Sequence, residues 1–185
     1  MVTSFSCIKK KLQNTFLLSI ALQLLMRTFN ELPMKPKLTN PINILLADDD
    51  ADDRSFFEKA LKGISIASHL TTVKDGEQLM RYLSKNFEHL PDVLFLDLNM
   101  PRKNGSECLS EIKQNPRLKK LPVIIYSTSV RKEITEVLYQ NGAHYNLQKC
   151  DFPELANSLQ RVLNLLAQNP NQPPRDKFIL SLAKV

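Results

Sequence analysis

The sequence predicts an α/β domain, a parallel β-sheet with helices packed on both faces. Three short runs carry the sheet: Ile42–Ala47, Val93–Leu96 and Val123–Tyr126 are almost wholly apolar. Such runs suit strands buried on both faces, which is the condition of a parallel sheet. Stretches of helical periodicity separate them, and regular strand–helix alternation implies parallel crossovers. Two more mixed runs, Ile66–Val73 and Ala143–Gln148, bring the expected number of strands to five and suit the two edges.

Each helix has a readable face and end. After the first strand, Phe56, Phe57, Ala60, Leu61 and Ile64 recur on one side of a helix. After the second, Asp75 can cap a helix that has Glu77 in its first turn and Leu79, Leu83 and Phe87 inward. Cys108, Leu109 and Ile112 mark a third helix, ended before Pro116. Ile134, Val137 and Leu138 mark a fourth, stopped by Asn141-Gly142. Phe152-Pro153 opens a fifth, with Leu155, Leu159, Val162, Leu163 and Leu166 on its buried side.

A chain of 185 residues, 43% hydrophobic and 24% charged, suits one globular domain with tails. The expected division is a leader over residues 1–39, the α/β domain over 40–167 and a C-terminal tail over 168–185. The tail opens with a linker-like stretch containing Pro170, Pro173 and Pro174, and only Phe178–Leu182 is apolar beyond it. Cys7, Cys108 and Cys150 make neither a disulfide framework nor a metal-binding pair, which suits a reducing cytoplasm. The net charge of +6 suggests nucleic acid, but its location argues otherwise. Residues 1–37 hold six basic side chains against Glu31 alone, so the α/β domain is nearly neutral and is not expected to bind nucleic acid. Three lysines and an apolar run from Phe16 to Met26 resemble the start of a signal peptide. No small-residue cleavage site follows, and the run is too short to span a bilayer. The leader is therefore expected to be disordered or an amphipathic helix, or an extension before a start at Met34, with residues 1–33 dispensable to folding, and membrane attachment is not expected.

The informative residues fall at strand ends. Asp48 and Asp49 follow the first strand, Asp97 the third, Ser127 the fourth and Lys149 the fifth. Ligands of open α/β sheets bind beyond the carboxyl ends of the strands, so these segments would converge. Three neighbouring carboxylates repel one another unless one takes a proton or a cation binds between them. Mg²⁺ answers this need, being a hard ion that takes oxygen ligands and bridges to phosphate. A carboxylate beside it can attack phosphorus to form an aspartyl phosphate. Lys149 and the Ser127 hydroxyl would meet the phosphoryl oxygens.

At these residues the chain resembles the response-regulator receiver family. The matching strings are Ile44-Leu45-Leu46-Ala47-Asp48-Asp49-Asp50, Leu96-Asp97-Leu98-Asn99-Met100-Pro101 with Asn104-Gly105, Pro122-Val123-Ile124-Ile125-Tyr126-Ser127, and Gly142-Ala143 leading to Lys149. The resemblance implies a doubly wound, flavodoxin-like sheet of strand order 2-1-3-4-5. It makes Asp97 the phosphoacceptor, gives the metal to Asp48, Asp49, Asp97 and the Asn99 carbonyl, and makes Ser127 the switch hydroxyl and Lys149 the phosphate-pairing lysine. The implied donor is a sensor histidine kinase or a histidine phosphotransfer protein, and the implied output is contact with another protein. Two departures stand out. Receivers usually carry a cis proline after the lysine, where this chain has Cys150; a non-proline cis bond costs about 3 kcal/mol, so a trans bond is expected. An aromatic usually lies three places before the lysine, where this chain has Asn146, with Tyr145 one residue earlier.

Competing functions fit less well. A calcium loop beginning at Asp48 would need Gly in place of Asp53 and Glu in place of Lys59. A flavin site would need a phosphate-cradling loop where two acids stand. An aspartyl-phosphate phosphohydrolase would need a second acid where Asn99 follows Leu98, leaving no general acid/base beside the nucleophile. A receiver-like scaffold that never takes phosphate is the remaining alternative, although none of the expected site residues is missing. His69, His89 and His144 have no ligand spacing and read as structural.

Overall fold

The three apolar runs form the middle of a parallel sheet. A computed structural model describes residues 40–128 and 132–180. In it the strands are β1 Ile42–Ala47, β2 Ser68–Val73, β3 Val93–Leu96, β4 Val123–Ser127, β5 Tyr145–Gln148 and β6 Ile179–Leu180. The helices are α1 Ala51–Lys62, α2 Gly76–Lys85, α3 Gly105–Gln114, α4 Lys132–Gln140 and α5 Phe152–Gln168, followed by a short 3₁₀ turn at Arg175–Lys177. The leader expected over residues 1–39 lies outside the described residues. Among those described, no helix is long and apolar enough to cross a membrane.

The sheet order is β2-β1-β3-β4-β5-β6, with every neighbouring pair parallel. The expected count of five strands is therefore one short, and β5 is not an edge. The sixth strand comes from the segment read as a tail: Asn146 pairs with Ile179 and Leu147 with Leu180. The Asn146 N–H donates to the Phe178 carbonyl at 2.8 Å, so the added strand satisfies a backbone donor of β5.

Capping residues set the helix starts. Asp50 accepts hydrogen bonds from the backbone of Asp52 and Asp53, and Asp75 from that of Gln78. Asn104 and Glu107 form a reciprocal capping box, and Asp151 caps α5 with Pro153 in its first turn. Gly142, at φ +88°, turns the chain out of α4 into β5. The Ala143 N–H still bonds back to the Leu138 carbonyl, which delays β5 to Tyr145.

Two apolar layers cover the sheet. Phe57, Ala60 and Leu61 of α1 and Leu155, Leu159, Val162 and Leu163 of α5 pack on one face, against Ile44, Leu46, Phe95 and Leu147. Leu79 and Leu83 of α2, Leu109 and Ile112 of α3 and Leu138 of α4 pack on the other, against Leu45, Leu94 and Ile125. In α4 the inward residues are Thr135 and Leu138, whereas Ile134 and Val137 are exposed.

Candidate functional site

The chain order of the sheet reverses at β1, whose neighbours are β2 and β3, and the expected site residues lie beyond the carboxyl ends of the strands there. Asp48 is fully buried, and its N–H still pairs with the Val73 carbonyl at 3.1 Å. The Asp97 N–H donates to the Ala47 carbonyl at 2.9 Å, so β1 and β3 stay paired to the point where their acids emerge. Gly105 lets the chain after β3 fold back closely, since a Cβ there would meet the Asp97 carbonyl oxygen at 2.1 Å. An ion pair of 2.7 Å between Arg102 and the buried Asp75 ties this loop to the start of α2.

Asp48, Asp49 and Asp97 each offer a carboxylate oxygen, and these three atoms lie within 4.8 Å of one another. Such a set of hard oxygen donors fits a divalent cation with its remaining positions left to water or phosphate. Burial raises the pKa of both Asp48 and Asp97, because desolvation disfavours the carboxylate. Lys149 opposes that shift at both, and backbone N–H groups of Leu98 and Asn99 oppose it at Asp97. Asn99 itself is exposed in the loop after β3, two residues beyond Asp97.

Lys149 reaches the same place from β5. Its Nζ lies 2.8 Å from Asp48 Oδ2, 2.7 Å from Asp53 Oδ2 and 3.8 Å from Asp97 Oδ1. The Asp53 contact is a directed hydrogen bond, whereas that to Asp48 is a charge contact without hydrogen-bond angles. Burial works against the ammonium, but the acids outweigh it and the Lys149 pKa is raised. The Tyr126 ring lies beneath, its centroid 5.3 Å from Nζ. The peptide bond to Cys150 is trans, as expected.

Ser127 ends β4, and its carbonyl accepts the Lys149 N–H at 3.0 Å. Its Oγ is buried without a hydrogen-bond partner. An unpaired buried hydroxyl is costly, so this one is suited to a group that arrives later. The structure thus gathers Asp48, Asp49, Asp97 and Lys149 in one cluster, with Ser127 and Asn99 on adjoining segments. Two neighbours went unread in the sequence. Asp53 looked like one more acid in the run from Asp48, although its place in the first turn of α1 brings it back over the sheet. Tyr126 looked like a core residue alone.

Comparison with known proteins identifies the family. A family model described as the response regulator receiver domain matches residues 44–160. Response regulator Rcp1 of Synechocystis sp. is 35% identical over 117 residues, covering 61% of this chain and 78% of its own length. A probable chemotaxis protein CheY of Rhizobium etli is 29% identical, covering 60% of this chain and 84% of that protein. Among solved structures, the Mn²⁺-bound form of Rcp1 has a TM-score of 0.62 at 31% identity, covering 72% of this chain and 99% of its own. Phosphorylated RcpA, a cyanobacterial phytochrome response regulator, has a TM-score of 0.64 at 27% identity, with the same coverage.

Proposed function

This chain belongs to the response regulator receiver domain family, and from that premise we propose that Asp97 is the residue that takes the phosphoryl group. The observation that carries the proposal is the meeting of Asp97 with Asp48, Asp49 and Lys149 at the ends of separate strands. The donor is a phosphohistidine on a sensor histidine kinase or a histidine phosphotransfer protein. An Asp97 oxygen attacks phosphorus, an O–P bond forms, and the P–N bond breaks with its electron pair leaving on the histidine nitrogen. Asp48, Asp49 and Asp97, with the Asn99 carbonyl, would hold Mg²⁺. That ion would neutralise the acids and bind a phosphoryl oxygen.

The chain's own groups handle the rest of the charge. Lys149 moves onto a phosphoryl oxygen, and the unpaired Ser127 hydroxyl donates to another. Engagement of Ser127 by phosphate repositions the end of β4, and the changed surface is read by a partner protein. Slow self-dephosphorylation ends the signal, and no other turnover belongs to the site. The phosphohydrolase reading is not favoured, since Asn99 stands where a second acid would be needed. The unit runs from about residue 40 to beyond 167, a boundary supported by the burial of Phe178. The free thiols Cys108 and Cys150 suit a cytoplasmic setting.

Incubating the full chain with acetyl phosphate and Mg²⁺ should add one phosphoryl group by intact mass. Chelation should prevent the addition, and so should Asp97→Asn. Equal labelling of the Asp97→Asn protein would assign the chemistry elsewhere. An unlabelled wild-type protein would instead favour a scaffold.

A further inference from the structure

We propose that Asp53 is a positioning residue that holds the Lys149 ammonium back from Asp97 and must release it when a phosphoryl group occupies the site. The inference deepens the reading of Asp97 as phosphoacceptor and rests on it.

An ammonium has three N–H donors, and their allocation here is uneven. The directed hydrogen bond of Lys149 goes to Asp53 at 2.7 Å, and its close charge contact goes to Asp48 at 2.8 Å. Asp97, where phosphate would form, is 3.8 Å away, beyond hydrogen-bond distance. Asp53 belongs to neither functional set, since the group able to hold a metal is Asp48, Asp49 and Asp97.

The grip is built into the fold. Asp50 caps α1 by accepting from the N–H groups of Asp52 at 2.7 Å and Asp53 at 3.2 Å, which fixes the backbone that carries the Asp53 carboxylate. On the other side, the Lys149 N–H bonded to the Ser127 carbonyl fixes the base of the lysine. The lysine side chain is 11% exposed and that of Asp53 is 37%, so water screens the pair only in part.

Two effects of Asp53 act in the same direction. Its carboxylate competes for the amine that must move onto the phosphoryl oxygen, and its negative charge repels the incoming anion. Asp53 therefore stabilises the resting state against the phosphorylated one. A general effect of one more acid at a helix start would act equally from Asp52, which is exposed, lies in the same first turn and makes no ion pair with Lys149.

The test is titration of the full chain with beryllofluoride at saturating Mg²⁺, comparing wild type with Asp53→Asn and Asp52→Asn. Asp53→Asn should bind the mimic about fivefold more tightly, the scale of a partly screened ion pair. Asp52→Asn should stay within about twofold of wild type, within the scale of an exposed charge. Thermal melting establishes that both variants are folded. Unchanged or weaker binding by Asp53→Asn overturns the inference, and so does equal tightening by Asp52→Asn, which would make the effect one of bulk charge. A wild-type protein that fails to bind beryllofluoride overturns the phosphoacceptor reading instead.

Discussion

His144 is held neutral by its surroundings. It is 6% exposed, and its Nδ1 accepts the Val123 N–H at 3.3 Å, which requires that nitrogen to be unprotonated. Burial, with the positive charge of Lys113 nearby, lowers its pKa from 6.5 to about 4. The unfolded chain therefore binds a proton between pH 6.5 and about 4 that the folded chain refuses. Stability should be unaffected by this group above that window, fall as pH drops through it, and level off below. The full loss is on the order of 3 kcal/mol. Urea unfolding of wild type and His144→Gln at about pH 7 and about pH 5 checks this, with a shallower pH dependence expected in the variant. Parallel profiles would mean that His144 titrates alike in both states. At this scale the sequence was legible where an apolar run ends on a polar residue, which placed Asp48, Asp97 and Ser127 at strand ends. Asp53 was not, because its partner is 96 residues away and only the closed sheet joins them.

The C-terminal segment grips α4 and the edge of the sheet. Phe178 is fully buried, with its ring 5.3 Å from that of Tyr139 on α4. The Gln172 amide donates to the carbonyls of Tyr139 and Ala143, at 2.7 and 2.8 Å, and the Tyr139 hydroxyl donates to the Pro173 carbonyl at 3.1 Å. Arg175 pairs with Glu136 at 2.7 Å and lies over both rings. These contacts are unequal in weight. Phe178→Ala should cost about 3–5 kcal/mol in urea unfolding, because it empties a closed site. Glu136→Gln should leave the urea midpoint nearly unchanged, because both partners of its ion pair are substantially exposed. Comparable losses from the two variants would mean that charge, not packing, holds the segment. Helices were legible because their periodicity runs over many residues, and central strands because they are unbroken apolar runs. A two-residue strand has no periodicity, so Ile179–Leu180 passed as tail and β5 as an edge.

Across the whole molecule, the route from the site to the surface depends on which way β5 presents its side chains. Alternation along a strand puts Tyr145 and Leu147 on one face and Asn146 on the other. Tyr145 pairs with Ile124 in register and is 5% exposed, packed with Leu147 in the layer beneath α1 and α5. Asn146 is half-buried, and its N–H is already given to the Phe178 carbonyl. Tyr145 faces the layer opposite to the one that holds α4, so its ring is not in contact with that helix's core face. A change at α4 would instead reach the segment holding Phe178, which α4 contacts through Tyr139. Beryllofluoride with Mg²⁺ should therefore leave the NMR resonances of the Tyr145 ring nearly unchanged. It should shift the amides of α4, the Asn146 amide and the Phe178 ring. A large reorientation of Tyr145 would show that β5 changes register or twist on activation. Shifts confined to the loops around Asp97, with α4 and Phe178 silent, would place the partner-reading surface beside the site itself.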